Sequence, residues 1–147
     1  MSPKIKIILG SQSQGRKNVL KKMGYEFDVM PANINEKVIR FNNPRKLTLA
    51  LANAKADTLL AKIKEYSILI ASDQVVVCDG KIREKPETEA EAKKFLKSYA
   101  EFPAETVTSV VVVNTKTRMR AEGIDVAKIF MRCLPDSVIK EYIATGD

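Results

Sequence analysis

Histidine does not occur in the 147 residues of this chain. Its absence removes the commonest general base and excludes Ser-His-Asp and Cys-His mechanisms, so acid and base chemistry falls to carboxylates and lysines. Tryptophan is also missing and aromatic residues make up only 6%, which leaves little for stacking the bases of an extended single strand. The two cysteines, Cys78 and Cys133, have no CxxC spacing and no histidine beside them. Neither a zinc site nor a disulfide framework is suggested, and both are expected to be reduced core thiols. Glycine and proline number 6 each, with no repeat, low-complexity tract or long like-charge run to mark a linker or a disordered tail. No apolar run approaches membrane-spanning length. Met1, Ser2, Pro3 and Lys4 pass into a short apolar strand, not into a signal-peptide core. A soluble, cytoplasmic protein without a membrane partner is expected.

What is present fits one domain over residues 1–147, with 45% hydrophobic residues to fill its core. The formal charge of +7 favours polyanionic ligands. The lysines are scattered and not striped, so small phosphorylated ligands suit the charge at least as well as nucleic acid does.

The most informative stretch is residues 68–78, ILIASDQVVVC, which reads as a buried β-strand with Asp73 in its middle. Asp79-Gly80 closes it with a dipeptide that favours a type I′ hairpin turn. A buried carboxylate without a partner would lose several kcal/mol, roughly, of solvation. The return arm, residues 81–86, carries cations back alongside the strand, so a metal ion, a lysine or both could hold Asp73 ionised. A purely structural ion pair fits the same pattern.

Along the chain, residues 5–9 form a short apolar strand, and Gly10-Ser11-Gln12-Ser13-Gln14-Gly15 leads into a helix from Arg16 to Met23. Val19, Leu20 and Met23 are its expected apolar face, Gly24 its C′ residue, and Ser11 or Ser13 its N-cap. The N-H groups at such a helix start, two hydroxyls, Arg16 and Lys17 together suit a phosphate, although no Walker motif is present and a serine-capped surface helix explains the same residues. Residues 25–29 alternate like a half-exposed strand and run into a loop with Glu36. From Pro44 a helix is expected, with Leu47, Ala50, Leu51, Ala54, Thr58 and Ala61 on one face. Lys55 and Lys62 both fall on its border, and geometry does not choose between them. A capping box at Thr88-Glu89-Ala90-Glu91 opens a helix with Ala92, Phe95, Leu96 and Tyr99 on one face. The β-branched run 106–113 and residues 123–133 read as an antiparallel pair, so the sheet is mixed. A last helix starts at residues 135–137, with Val138, Ile139, Tyr142 and Ile143 apolar.

Five motifs in this order, Ser11-x-Ser13-x-x-Arg16, Ile34-Asn35-Glu36, residues 51–56 (LANAKA), Ser72-Asp73-Gln74-Val75-Val76 and residues 79–86 (DGKIREKP), resemble the Maf family of nucleoside triphosphate pyrophosphatases. The resemblance spans essentially the whole chain. It implies an α/β fold, elongated and two-lobed, with a mixed β-sheet flanked by helices, similar to inosine triphosphatase. It also implies a metal-dependent hydrolase with a house-cleaning role that cuts between the α- and β-phosphates of a nucleotide. Carried over position by position, Ser11, Ser13 and Arg16 match the phosphate-binding turn, beside which Lys17 stands as a further candidate phosphate-binding residue from the helix start. Glu36, Lys55, Asp73 and Lys85 match the charged catalytic residues, Asp73 being the proton acceptor and Glu36 with Asp73 the metal ligands. Oxygen ligands without histidine or thiolate favour Mg2+ or Mn2+.

Three departures from the family pattern matter, the one at Asn35 for a metal or hydrogen-bond partner beside Glu36 and the other two for selectivity. Gln14-Gly15-Arg16 stands where much of the family has Pro-Arg-Arg, Asn35 replaces a common aspartate, and Gln74 replaces the threonine of members acting on dTTP and UTP. The Asp73-Gln74 pair is similar to that of the 7-methyl-GTP members, so Gly15 and Gln74 are the candidate specificity residues and a purine is expected. Family members continue past the last helix into a Gly-rich segment and further strands, so the domain is expected to be C-terminally incomplete. The competing class is a nucleotide-binding sensor or regulator of cell division without turnover. The partner expected is a nucleoside triphosphate; nucleic acid is not expected, and a homodimer stays open.

Overall fold

The β-branched apolar run and its DG turn form a hairpin, in the computed structural model, which describes residues 4–146. The expected approach of Met1 to Pro3 to the first strand, like Asp147, lies outside those residues. Strand β3 spans Ser67–Cys78 and β4 spans Lys81–Arg83, paired antiparallel with Cys78 opposite Lys81. Asp79 and Gly80 have φ of 52° and 70°. Two positive φ values are what a type I′ turn needs, and they match the twist of the strands it joins.

Around this hairpin lie β1 (Lys6–Leu9), β2 (Asp28–Val29), β5 (Ala104–Asn114) and β6 (Arg120–Ile129), completing a six-stranded sheet of order β2-β1-β3-β5-β6 with β4 on β3. β1 runs parallel to both β2 and β3. The Thr115 N-H donates to Ser67 O at 3.0 Å, so the end of β5 meets the start of β3 and the two run in opposite directions. The sheet is mixed, as expected. Four helices accompany it among the described residues: α1 (Gln14–Lys22), α2 (Pro44–Leu60), α3 (Glu89–Ser98) and α4 (Asp136–Ala144). None is long and apolar enough to cross a membrane. The described residues divide into two compact units: one holds the chain up to Gln74 with Thr108–Ile124, the other Val75–Val107 with the chain from Asp125 on.

In the first unit α2 covers the sheet. Asn43 caps it, its side-chain oxygen accepting from the N-H groups of Arg45 and Lys46, and Pro44 follows in the first turn, where a missing N-H costs nothing. Ala52, Ala56, Leu59 and Leu60 pack against Ile8, Leu69, Ala71, Val111 and Val113. Burying a leucine such as Leu59, which is 0% exposed, contributes about 1.5–3 kcal/mol. The buried face is turned from the expected one: Thr48, Ala52, Lys55, Ala56 and Leu59 point inward, while Ala61 is exposed. Thr48 is accommodated because its hydroxyl bonds Ser109 Oγ at 2.6 Å and the Pro44 carbonyl at 3.0 Å. The expected strand over residues 25–29 is reduced to Asp28–Val29. On α1 only Leu20 is buried, and Val19 and Met23 face solvent.

In the second unit Thr88 caps α3, accepting from Glu91 N, and α3 contacts α4. Arg83 of the return arm stacks over Phe95 and Tyr99, 4.6 and 5.1 Å from the ring centroids, and donates to Ser98 Oγ at 2.6 Å. Cys78 is buried, whereas Cys133 is exposed, correcting its expected place in the core. β6 ends at Ile129, so Cys133 falls in the loop beyond it. Of the apolar residues of α4, Ile139 is buried while Val138 and Tyr142 are exposed.

The first unit closes tightly at Gly10, whose N-H donates to Ile70 O at 2.8 Å. A Cβ there would stand 2.6 Å from Leu59 Cδ1, and Leu59 is enclosed on every side. Gly10→Ala should therefore destabilise the protein by about 1–3 kcal/mol, the usual cost of overpacking a filled core. Urea unfolding measures this, and an unchanged midpoint would mean that Leu59 has room to yield.

Candidate active site

Side chains alternate along β3, so Ser67, Leu69, Ala71 and Asp73 are buried in one row. Asp73 is the ionisable end of an otherwise uncharged row. Its partner comes from α2, where Lys55 stands one turn after Leu51 and one before Leu59 on the buried face. Lys55 Nζ donates to Asp73 Oδ1 at 2.7 Å, and the two side chains are only 10% and 9% exposed. The cation holding Asp73 is thus Lys55, and the return arm's Arg83 is engaged elsewhere. Lys62, level with Lys55 by periodicity, is exposed.

The same ammonium reaches Glu36 Oε1 at 3.0 Å. Glu36 opens a single 3-10 turn, Glu36–Val38, and its side chain remains half exposed. Two carboxylates of opposite character therefore share one cation: Asp73 on a rigid strand and Glu36 on a surface loop.

The turn after β1 supplies the third part. Ser13 is the N-cap of α1, its hydroxyl accepting from Arg16 N at 3.4 Å. Ser11 has a different task. Its hydroxyl accepts from the Ser13 N-H and from Arg16 Nη1, both at 3.1 Å, which folds the guanidinium back over the turn. No acidic residue occupies the first turn of α1, so its partial positive charge is not cancelled locally. Lys17 is half-buried in the same turn. Arg16 is near enough to act electrostatically on Asp73.

Burial pushes the Asp73 carboxyl up from its ordinary value of 3.8; Lys55 pulls it down by hydrogen bond and charge, Glu36 adds an upward push and Arg16 a downward one. Loss of hydration wins because this group is enclosed on nearly all sides. The result is a carboxylate more basic than a free aspartate and held next to three charged groups.

Gln74, the next residue on β3, is exposed, and its amide oxygen accepts from Thr108 Oγ1 at 2.9 Å. Gly15 lies in α1 with space above it; an added Cβ would meet only Ser13 Oγ, at 3.7 Å. Lys85 is exposed and belongs to the second unit. Of the expected site residues, then, Ser11, Ser13, Arg16, Glu36, Lys55 and Asp73 come together within the first unit. Thr108, which engages Gln74, had no signal in the sequence, because cross-strand neighbours follow from register alone.

A family model described as Maf-like protein matches residues 6–147. A 7-methyl-GTP pyrophosphatase of Dictyostelium discoideum is 47% identical over 148 residues, covering 96% of this chain and 75% of that protein. A dTTP/UTP pyrophosphatase of Carboxydothermus hydrogenoformans is 36% identical over 139 residues, covering 95% and 74%. Among solved structures, a nucleoside-triphosphatase described as a dITP/XTP pyrophosphatase from Mycobacterium abscessus aligns with a TM-score of 0.54 at 11% identity, over 97% of this chain and 95% of that one. At that identity the likeness shows the fold alone.

The raised Asp73 carboxyl has a sign that stability measurements can read. Between the unfolded value near 3.8 and the higher folded value, the native state binds more protons than the unfolded one. The contribution is fully present below the unfolded value and is lost as pH rises through the folded value. Urea unfolding of the wild type and of Asp73→Asn, compared at steps from about pH 4 to about pH 7, should show the wild type losing stability relative to the variant. A difference that grows with pH would mean that the Lys55 pairing outweighs burial.

Proposed function

Because this chain belongs to the Maf-like protein family, we propose that it is a nucleoside triphosphate pyrophosphatase. It adds water to a nucleotide between the α- and β-phosphates and releases a monophosphate and pyrophosphate, a house-cleaning reaction on nucleotides. The observation that carries this reading is the buried Asp73 carboxylate, held at 2.7 Å by Lys55 and flanked by Glu36 and Arg16. A base more basic than free aspartate lies beside cations suited to phosphate.

In this reading the phosphates lie against the N-H groups at the start of α1, with the Ser11 and Ser13 hydroxyls and the Arg16 fork. Asp73 takes the proton of the attacking water, and Lys55 and Arg16 stabilise charge growing on the phosphoryl oxygens. The bridging oxygen leaves with pyrophosphate. Glu36 and Asp73 converge as hard oxygen donors without histidine or thiolate, the donor set that suits Mg2+ or Mn2+ completed by substrate phosphates. Bound there, such an ion would polarise the phosphorus and lower the pKa of an attacking water.

For the base, a purine is favoured, with 7-methyl-GTP as the first candidate, since the relative of that name shares nearly half of the aligned residues. Thr108 occupies the Gln74 amide oxygen, which leaves the amide nitrogen as a donor toward a base edge. Gly15 leaves open the space that a larger side chain would fill.

Pyrophosphate release from a panel of nucleotides tests both levels. At saturating nucleotide and metal, Asp73→Asn should lower turnover by at least about a hundredfold; near-normal turnover would remove Asp73 as the base. Gln74→Thr should move the purine-to-pyrimidine ratio of turnover while leaving the triphosphate contribution to binding in place. An unmoved ratio would assign base choice to other residues.

A further inference from the structure

We propose that Lys55 is the resident cation of the Glu36–Asp73 pair in the free protein, and that a divalent metal enters this pair only together with a triphosphate. This rests on the reading above that the two carboxylates hold the metal. The ammonium lies 3.0 Å from Glu36 Oε1 and 2.7 Å from Asp73 Oδ1, so it already bridges the oxygens that a metal would need. Among the described residues no group of three or more acidic, cysteine or histidine side chains could hold a metal without help. Two carboxylates and one ammonium sum to a single negative charge. A divalent ion added to them would leave a net positive cluster, with the Arg16 charge also felt at Asp73. The Lys55 ammonium is nearly buried, and a like charge a few ångströms from it is repelled strongly.

A triphosphate changes both sides of this balance. Its oxygens complete the coordination of an ion that is usually bound by only one or two carboxylates plus phosphates. They also offer the Lys55 ammonium new acceptors, so it can leave the carboxylates by turning about its flexible stem while α2 stays in place. The lysine thus keeps the buried Asp73 paired until substrate arrives and then becomes a phosphate ligand. Metal and nucleotide bind with positive coupling, and by reciprocity each raises the affinity for the other.

The test is Mn2+ binding, read from the electron paramagnetic resonance signal of the free aqueous ion, first without nucleotide. Wild type and Lys55→Arg, which keep the cation, should bind Mn2+ weakly. Lys55→Met, which keeps the stem and loses the charge, should bind at least about tenfold more tightly. A wild-type Kd as low as that of Lys55→Met would overturn the proposal. With a triphosphate analogue that cannot be cleaved between its α- and β-phosphates, the wild type should bind Mn2+ and Glu36→Gln should bind it more weakly. Retention of full Mn2+ affinity by Glu36→Gln would instead defeat the assignment of the carboxylate pair as the metal site, separating the two failures. Should Lys55→Met not fold, the wild type alone decides. Mn2+ by itself should leave its melting temperature unmoved, and Mn2+ with the analogue should raise it more than the analogue does. An equal rise with Mn2+ alone would contradict the proposal.

Discussion

The contact between Lys55 and Asp73 is the constraint on which the rest of the first unit depends. Both side chains are nearly enclosed, and taking each charge out of water costs several kcal/mol, roughly, after relaxation. Their mutual attraction offsets that cost only at short range, so α2 must lie on the sheet in one register. The apolar contacts of Ala52, Ala56 and Leu59 with Leu69, Ala71, Val111 and Val113 supply that register. Small alanines on α2 let the helix approach closely enough for the lysine to reach across. Packing sets the distance, and the distance sets the chemistry.

The same pair divides the site into a rigid and an exposed part. Lys55 and Asp73 are carried by a helix and a central strand, whereas Glu36 and Ser13 are on segments open to solvent. Burial fixes the Lys55–Asp73 contact in the free protein and raises the Asp73 carboxyl, while Glu36 and Ser13 stay open to solvent. Arg16 is already folded over the Ser11 hydroxyl, so under the proposed function a phosphate approaching the turn after β1 would cost little side-chain freedom.

Much of this was legible in the residues because local rules and tertiary packing agree. The β-branched run with a DG turn, the Thr88 and Ser13 caps and the glycine after α1 each have a local cause and stand where the rules put them. Asp73 was visible because a charge in an apolar strand needs a partner. That partner is not among the nearby cations of the return arm but on a helix eighteen positions earlier in the chain. Periodicity could not separate Lys55 from Lys62, since the buried face of α2 is turned by Thr48, whose hydroxyl is satisfied by Ser109 on β5. That pairing depends on strand order, as does the Thr108 contact with Gln74. Val19 and Met23 of α1 and Cys133 are exposed although the sequence pointed to an apolar face and a core thiol, because apolar character alone does not say whether a neighbour exists to cover it.

The central claim is that the Asp73–Lys55 pair serves water attack with pyrophosphate as the leaving group. Phosphorus NMR of the products formed from a nucleoside triphosphate, with wild type and Asp73→Asn side by side, tests it most directly. The account predicts monophosphate and pyrophosphate resonances appearing together with the wild type and nearly vanishing with the variant. Orthophosphate with a nucleoside diphosphate, or the same product yield from both proteins, would contradict it.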